Sequence, residues 1–294
     1  MADYRKFWLV NALGNRYEFA NPNHKAFLHD PNGLGFKRLI TTLTIGNSEL
    51  VTSRQFQLTD ISGDLLFYDG TNGNKYQGYF DFIQFAKFKP LELHYLTPNN
   101  LVAYHCDVEF IQANKTEVDE DGILHIPVTF HRLTEWLTDD DKTYVMTNDP
   151  IDEGKYHDLV YDYHYAGTNL SNTILDNNGT DDVGFILEID GDVQNPQFTL
   201  TQGGETYGIC KINGTYDYVM IDSIERTENI YLENNGSVVT NPEQYQDFTI
   251  RNGASYLTWL KLRVGQSQFS FTCGNIDTFD GVVTLRFKNS YATV

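Results

Sequence analysis

Cysteine is scarce in this chain of 294 residues, with only Cys106, Cys210 and Cys273. An odd number without close spacing excludes a disulfide framework or a zinc knuckle. Cys106 falls in an apolar register and reads as a buried thiol. No run approaches the ~18 apolar residues a bilayer span requires, which points to a soluble protein. The opening MADYRKFWLVNALGNRYEF has two cations before a short apolar run. Asn11 interrupts that run and no small-residue cleavage site follows, so it does not read as a signal peptide. Basic residues are also short: 21 Lys and Arg against 40 Asp and Glu give a net charge of −19. Such a surface repels phosphate and anionic membranes, so neither specific nucleic-acid binding nor membrane attachment is expected. Catalytic signatures are missing as well. There is no G-x-S-x-G elbow, no glycine-rich phosphate loop between strand and helix, and no H-E-x-x-H. Carboxylate pairs can be drawn anywhere among 40 acids and carry no information. No enzyme activity, cofactor or metal is expected.

What is present favours strands. Hydrophobic residues make up 40% of the chain, with 19 Tyr and 19 Phe, enough for a core and weighted towards sheet. The length suits two domains. FWLV and RYEF flank ALGN as a hairpin, and NKYQGYFDFIQFAKFK (Asn74 to Lys89) is the one helix candidate. Its packing face is expected at Tyr76, Phe80, Ile83 and Ala86 or Lys87, with Asn74 as cap and Pro90 as stop.

The clearest alternation follows. Val102, Tyr104, Cys106, Val108 and Phe110 are apolar, as are Leu124, Ile126, Val128 and Phe130. His105, Asp107, Glu109, His125 and His131 fall between them, so each strand is half buried. The acidic run Glu117, Asp119, Glu120 and Asp121 is then a hairpin tip, read as solvated. His105, His125 and His131 as a metal set lack a supporting motif and are read as a polar sheet surface. The same holds for Asp158, Asp162 and His164. DNNGTDD (Asp176 to Asp182) has Asp181 where a calcium loop needs glycine, and reads as a turn.

A polar, acidic stretch from Thr138 to Asp158 marks a boundary, giving domains 1–145 and 146–294. Residues 1–145 carry 13 basic and 19 acidic groups, net −6, and the remainder nets −13. The second half is strand after strand, the pattern of a two-sheet sandwich. Within YLTWLKLRV, Tyr256, Thr258, Leu260, Leu262 and Val264 share one face. Trp259, Lys261 and Arg263 share the other, an arrangement suited to stacking a sugar ring.

The order FWLVNALGNRYEF, AFLHDPNGLGF, helix, then an alternating hairpin carrying NKTE and ending in LTEWL resembles the N-terminal domain of distal tail proteins. These belong to long, flexible-tailed phages of Gram-positive bacteria. Pro31, Gly33, Leu34 and Gly35 match one family phrase. Asn114, Lys115, Thr116 and Glu117 match another, Asn114 replacing the commoner Thr, and Phe130 and Trp136 stand at the closing aromatics. The resemblance covers roughly 4–145. EIDGDVQNP and the architecture make the second half similar to the family's galectin-like sandwich, and no large insertion suggests an added carbohydrate module. The fold so implied is mainly β: a β-sandwich-like belt domain with one helix, then a galectin-like β-sandwich. The family resemblance implies a homohexameric ring at the tail tip, in the virion. Its partners would be the tail tube protein, the tail-associated hub or lysin protein, and receptor-binding or adhesion proteins. His105, Asp107, Glu109, His125 and His131 are then the candidate lumen or inter-subunit face. The alternative is a carbohydrate-binding module recognising a cell-wall saccharide through Trp259, Lys261 and Arg263.

Overall fold

The computed structural model describes residues 5–19, 26–35, 37–68, 75–97, 102–147, 168–170, 172–224, 227–238, 248–250 and 260–293. The chain divides into unit 1, Met1–Asp139 with Ser290–Val294, and unit 2, Asp140–Asn289. The division falls a few residues before the expected cut at 145/146. The return of the C-terminus to unit 1 has no counterpart in that reading.

Unit 1 begins with β1 (Lys6–Asn11), β2 (Arg16–Glu18), β3 (Phe27–Asn32), β4 (Arg38–Ile45), β5 (Ser48–Phe56) and β6 (Ile61–Phe67). Helix α1 (Lys75–Phe85) follows, then β7 (Leu91–Leu96), β8 (Ala103–Ala113), β9 (Leu124–Arg132) and β10 (Trp136–Thr138). Unit 2 opens with β11 (Lys142–Thr147), β12 (Thr168–Asn169), β13 (Thr173–Asn177), β14 (Ile186–Gln194), β15 (Gln197–Gln202) and β16 (Glu205–Lys211). It continues with β17 (Thr215–Asp222), β18 (Asn229–Asn234), β19 (Ser237–Val238), β20 (Phe248–Ile250), β21 (Gly265–Thr272) and β22 (Val282–Phe287). The last strand, β23 (Ser290–Tyr291), closes on β10 of unit 1.

The main sheet of unit 1 runs β2-β1-β7-β8-β9-β6-β3, with β10 paired to both β8 and β23. The first turn is held by Asn11, whose Oδ1 accepts from the backbone N–H of Leu13 and Asn15 at 3.1 Å each. Period-two alternation sends Leu91, Leu93, Tyr95, Cys106, Val108, Leu124, Ile126, Val128 and Phe130 into one core. Burial pushes the Cys106 thiol well above its ordinary pKa. Trp136 and the side chain of Arg132 are fully buried in the same unit.

Helix α1 inserts Phe82 among Tyr17, Phe19 and Phe110, with ring centroids 5.5, 5.9 and 5.3 Å away. Tyr76, Ile83 and Ala86 of the expected packing face lie against the core, and the face is corrected at Phe80, whose place Phe82 takes. Phe82 and Ala86 are buried, whereas Phe80 is 49% exposed. Aromatics occur all around this helix, so periodicity alone does not choose a side. Gly78 does: a Cβ there would meet the Phe67 ring at 3.0 Å, and its absence lets the helix settle on β6. The candidate cap Asn74 lies outside the described residues.

In unit 2 one sheet runs β12-β11-β22-β14-β17-β18-β19 and a second β13-β21-β15-β16-β20. Phe185, Leu187, Ile189, Val219, Val283 and Leu285 from the first region share a core with Phe198, Leu200, Phe269 and Phe271. This is a β-sandwich. The expected strand YLTWLKLRV is corrected over its described part, Leu260–Val264, which makes one isolated bridge, Val183↔Leu262. Leu260 and Leu262 are buried as expected, but Val264 is 40% exposed. In the DNNGTDD segment Asn177 is buried and its Oδ1 accepts from Gly179 N at 2.9 Å, the geometry of a turn.

Phe82→Ala should lower the unfolding free energy of unit 1 by about 3–5 kcal/mol, while Phe80→Ala should change it by less than about 1 kcal/mol. Denaturant melts of both variants read the difference. Equal losses would restore the face expected from periodicity.

Candidate functional site

The outward face of the unit 1 sheet is built by the residues that alternate with the core. Pairing of β7 with β8 sets Glu92 opposite Asp107 and His94 opposite His105, while β8 and β9 set Glu109 opposite His131. The candidate residues lie on this surface, but each is drawn into its own pair. His105 Nδ1 is 2.7 Å from Asp139 Oδ1, and His131 Nδ1 is 2.7 Å from Asp60 Oδ1. Glu109 pairs with Lys89, and the backbone N–H of Asp107 donates to Thr134 Oγ1 at 2.9 Å.

His125 belongs to the hairpin tip. Its Nε2 is 3.0 Å from Asp119 Oδ2, and the other oxygen of that carboxylate accepts from Ile123 N at 2.7 Å. The Ile123 N–H, with help from His125, holds the Asp119 carboxyl below the ordinary aspartate range. Gly122 supplies the left-handed turn, φ +76°. The acidic run is thus the fastening of a turn.

The two phrases that carry the family resemblance are internal fasteners too. Asp30 sits at φ 43° and Gly33 at φ 89°, where β3 kinks against β6. A Cβ on Gly33 would stand 1.9 Å from the Asp60 carbonyl oxygen. Thr59 Oγ1 donates to Gly33 O at 2.8 Å, and Thr293 Oγ1 to Leu34 O at 3.0 Å. Pro31 lies within that kinked strand, and Gly35 follows it with open space where a Cβ would be. In the second phrase, Asn114 N donates to Pro127 O at 2.9 Å and Thr116 Oγ1 to His125 O. Lys115 Nζ lies 4.8 Å over the Tyr76 ring, and Glu117 Oε2 accepts from Tyr76 Oη at 2.8 Å. That hydrogen bond to Glu117 is the main reason the Tyr76 pKa is raised. Asn114–Glu117 therefore ties the β8–β9 hairpin to α1.

Two features escape the sequence reading. The first is the hairpin β4–β5, which forms a two-stranded sheet of its own. Every residue of β4 is exposed. Leu39, Leu43 and Ile45 alternate onto one of its faces, and Leu43 is paired with Leu50. The Gly46-Asn47 turn between β-branched and leucine residues was the available signal. The second is His94 and Asp139, which join His105 in a cluster whose donor atoms lie within 4.8 Å of one another. It is the set of ligating groups whose geometry suits a metal among the described residues. No sequence spacing announces it.

The saccharide candidates are less well placed. Arg263 lies 4.2 Å over the Tyr207 ring, Lys261 is exposed, and Trp259 is outside the described residues, as are Asp158, Asp162 and His164. Among the described residues no helix is long and apolar enough to cross a membrane.

Unit 1 thus joins a nine-stranded sheet, signature phrases engaged in folding and an apolar two-stranded arm, and unit 2 is a β-sandwich. Residues 6–133 match the distal tail protein N-terminal domain. Residues 6–133 thus form a distal tail protein domain, and such a domain has its place in the virion, at the distal end of a phage tail. The fold is shared with solved structures across both units. The crystal structure of the phage SPP1 Dit protein, described as a paradigm of the hub adsorption apparatus in phages infecting Gram-positive bacteria, matches with TM-score 0.63 and 10% identity. It covers 96% of this chain and 98% of that one. Structures of the phage p2 baseplate in its activated conformation match with TM-scores of 0.56 (with Ca) and 0.55 (with Sr). Both are 15% identical and cover 99% of each chain. No curated protein sequence matches.

Gly33→Ala should destabilise unit 1 by more than about 2 kcal/mol, because left-handed strain adds to a backbone clash. Gly35→Ala should be tolerated, changing stability by less than about 1 kcal/mol. Thermal melts of the two variants check this, and an intact melt for Gly33→Ala would contradict it.

Proposed function

We propose that this chain is the hub-ring subunit of a tail tip in a phage infecting Gram-positive bacteria, six copies closing into a ring. Unit 1 is the belt that docks on the tail tube protein on one side and the tail-associated hub or lysin protein on the other. Unit 2, a galectin-like sandwich, is the outward platform for receptor-binding or adhesion proteins. The observation that carries this reading is the β4–β5 arm. Leu39, Ile40, Leu43, Ile45 and Leu50 are each 52–59% exposed on a ribbon that forms a two-stranded sheet of its own. An isolated two-stranded ribbon is at best marginally stable in water. Apolar stripes of this kind mark interaction surfaces, and a second copy of the same chain supplies a partner that closes symmetrically.

The outward face carrying His105, Asp107, Glu109, His125 and His131 suits the lumen or the seam between subunits. A net charge of −19 would let exported DNA pass without sticking. The structural role of the family supports a scaffold in place of a catalyst.

Leu43→Glu with Leu50→Glu should leave the unit folded, since both side chains are solvent-facing, while removing about 1.5–3 kcal/mol of burial per leucine from each contact. Association should weaken tenfold or more. Tail tips carrying the variant, viewed by electron microscopy, should lack a closed ring, and the solution mass should stay near the 33.7 kDa subunit. Rings of ordinary number and stability would remove the arm from the assembly.

A further inference from the structure

We propose that His94, His105 and Asp139 bind a first-row transition-metal ion of the zinc class, with Glu92 orienting His94. The site follows from strand register and does not depend on the ring reading. His94 and His105 are direct cross-strand partners, their ring centroids 5.4 Å apart. On the other flank of β8, β10 pairs Leu137 with His105, and Asp139 N donates to Ala103 O at 3.2 Å. The carboxylate that follows comes to both rings. Asp139 Oδ1 is 2.7 Å from His105 Nδ1 and 3.5 Å from His94 Nδ1. Donors about 2.0–2.1 Å from a tetrahedral zinc stand roughly 3.3 Å apart, which these separations bracket.

The state of His94 points to a ligand. Both ring nitrogens are shut off from water, and neither makes a hydrogen bond of proper geometry. A polar ring buried this way lacks properly formed hydrogen bonds, and a cation bound to one of its nitrogens would supply the missing interaction. Glu92 Oε2 lies 3.3 Å from Nε2, on the side of the ring away from Asp139. That is the carboxylate–histidine–metal arrangement, in which the outer carboxylate fixes the tautomer and leaves the other nitrogen for the ion. The ring is clamped as well. Trp8 stacks on it at 5.0 Å and 13°, and Arg16 lies 4.3 Å over Trp8, held in turn by Glu18 at 3.0 Å. Asp107 stands across from Glu92 in register, adding negative charge beside the two imidazoles.

Two imidazoles and one carboxylate favour zinc, cobalt or nickel over calcium or magnesium, which take all-oxygen sets. Three protein donors leave a position for water. Asp139 is the last residue of the first segment of unit 1, so the ion would fix the point where the chain leaves that unit.

The test uses the untagged full chain, stripped of metal and titrated with Co²⁺ and with Zn²⁺. Expected are one ion per chain by calorimetry, a visible d–d band from Co²⁺, and a tryptophan fluorescence change that disappears in Trp8→Phe. Affinity should fall on acidification, because protons compete with the metal for the imidazole nitrogens. His105→Gln and Asp139→Asn should each weaken binding at least tenfold, and Glu92→Gln by roughly tenfold. The circular dichroism of these variants, milder than His94→Ala, checks that the unit stays folded. Absence of saturable binding, unchanged binding in the folded His105→Gln/Asp139→Asn double variant, or equal affinity for Ca²⁺ would each overturn the assignment.

Discussion

The register of β8 is the constraint on which unit 1 depends. This strand is held by β7 on one side and by β9 and β10 on the other. Its even residues Cys106 and Val108 enter the core and its odd residues His105, Asp107 and Glu109 leave it. A slip of one residue would exchange the two sets, putting an imidazole and two carboxylates among Leu93, Ile126 and Phe130. The cost of such burial is many times the stability of a domain. The core therefore fixes the surface: what the outward face presents follows from what the inward face must hide.

That dependence explains what could be read from the sequence. Alternation assigns residues to faces, so the β8–β9 hairpin, its acidic tip and the strand-rich second half were legible. It does not say which edges meet. The insertion of β6 beside β9 rests on contacts 57–69 residues apart, and the pairing of β10 with β23 at the far end of the chain on contacts 153–155 residues apart. No local pattern encodes them. His94 illustrates the consequence. Its neighbour His105 was singled out, but the imidazole opposite and the carboxylate beyond it become visible only once two pairings are known. Helix α1 was legible, but the burial of Phe82 in place of Phe80 was not, for a different reason. Its aromatics surround the axis, and a glycine at Gly78, the residue a hydropathy pattern weights least, selects the buried side.

The phrases that mark the family and the surfaces that serve it are different residues. Gly33 and Asn114–Glu117 are confined by backbone geometry and by docking of α1, where few side chains meet the requirement. The arm β4–β5 is under no such restriction from its own chain, since it touches almost nothing there. Its exposed leucines are the kind of surface that a partner from outside the unit would cover.

Acidity then divides between two tasks. Asp60, Asp119 and Asp139 each face a histidine, and Glu117 faces a tyrosine. These carboxylates organise turns and pairings locally, and their charge is partly spent there. Others pair with cations, as Glu18 does with Arg16, Glu109 with Lys89 and Glu188 with Arg286, yet 40 acids against 21 Lys and Arg leave a net charge of −19. Spread over a monomer it would only favour solubility. Repeated around a closed ring it becomes a continuous negative surface, and a wall of that sign offers DNA no counter-charge to hold it. In the proposed ring the same unit would bind its neighbours through apolar side chains and repel what passes, because the two interactions use different chemistry on different residues.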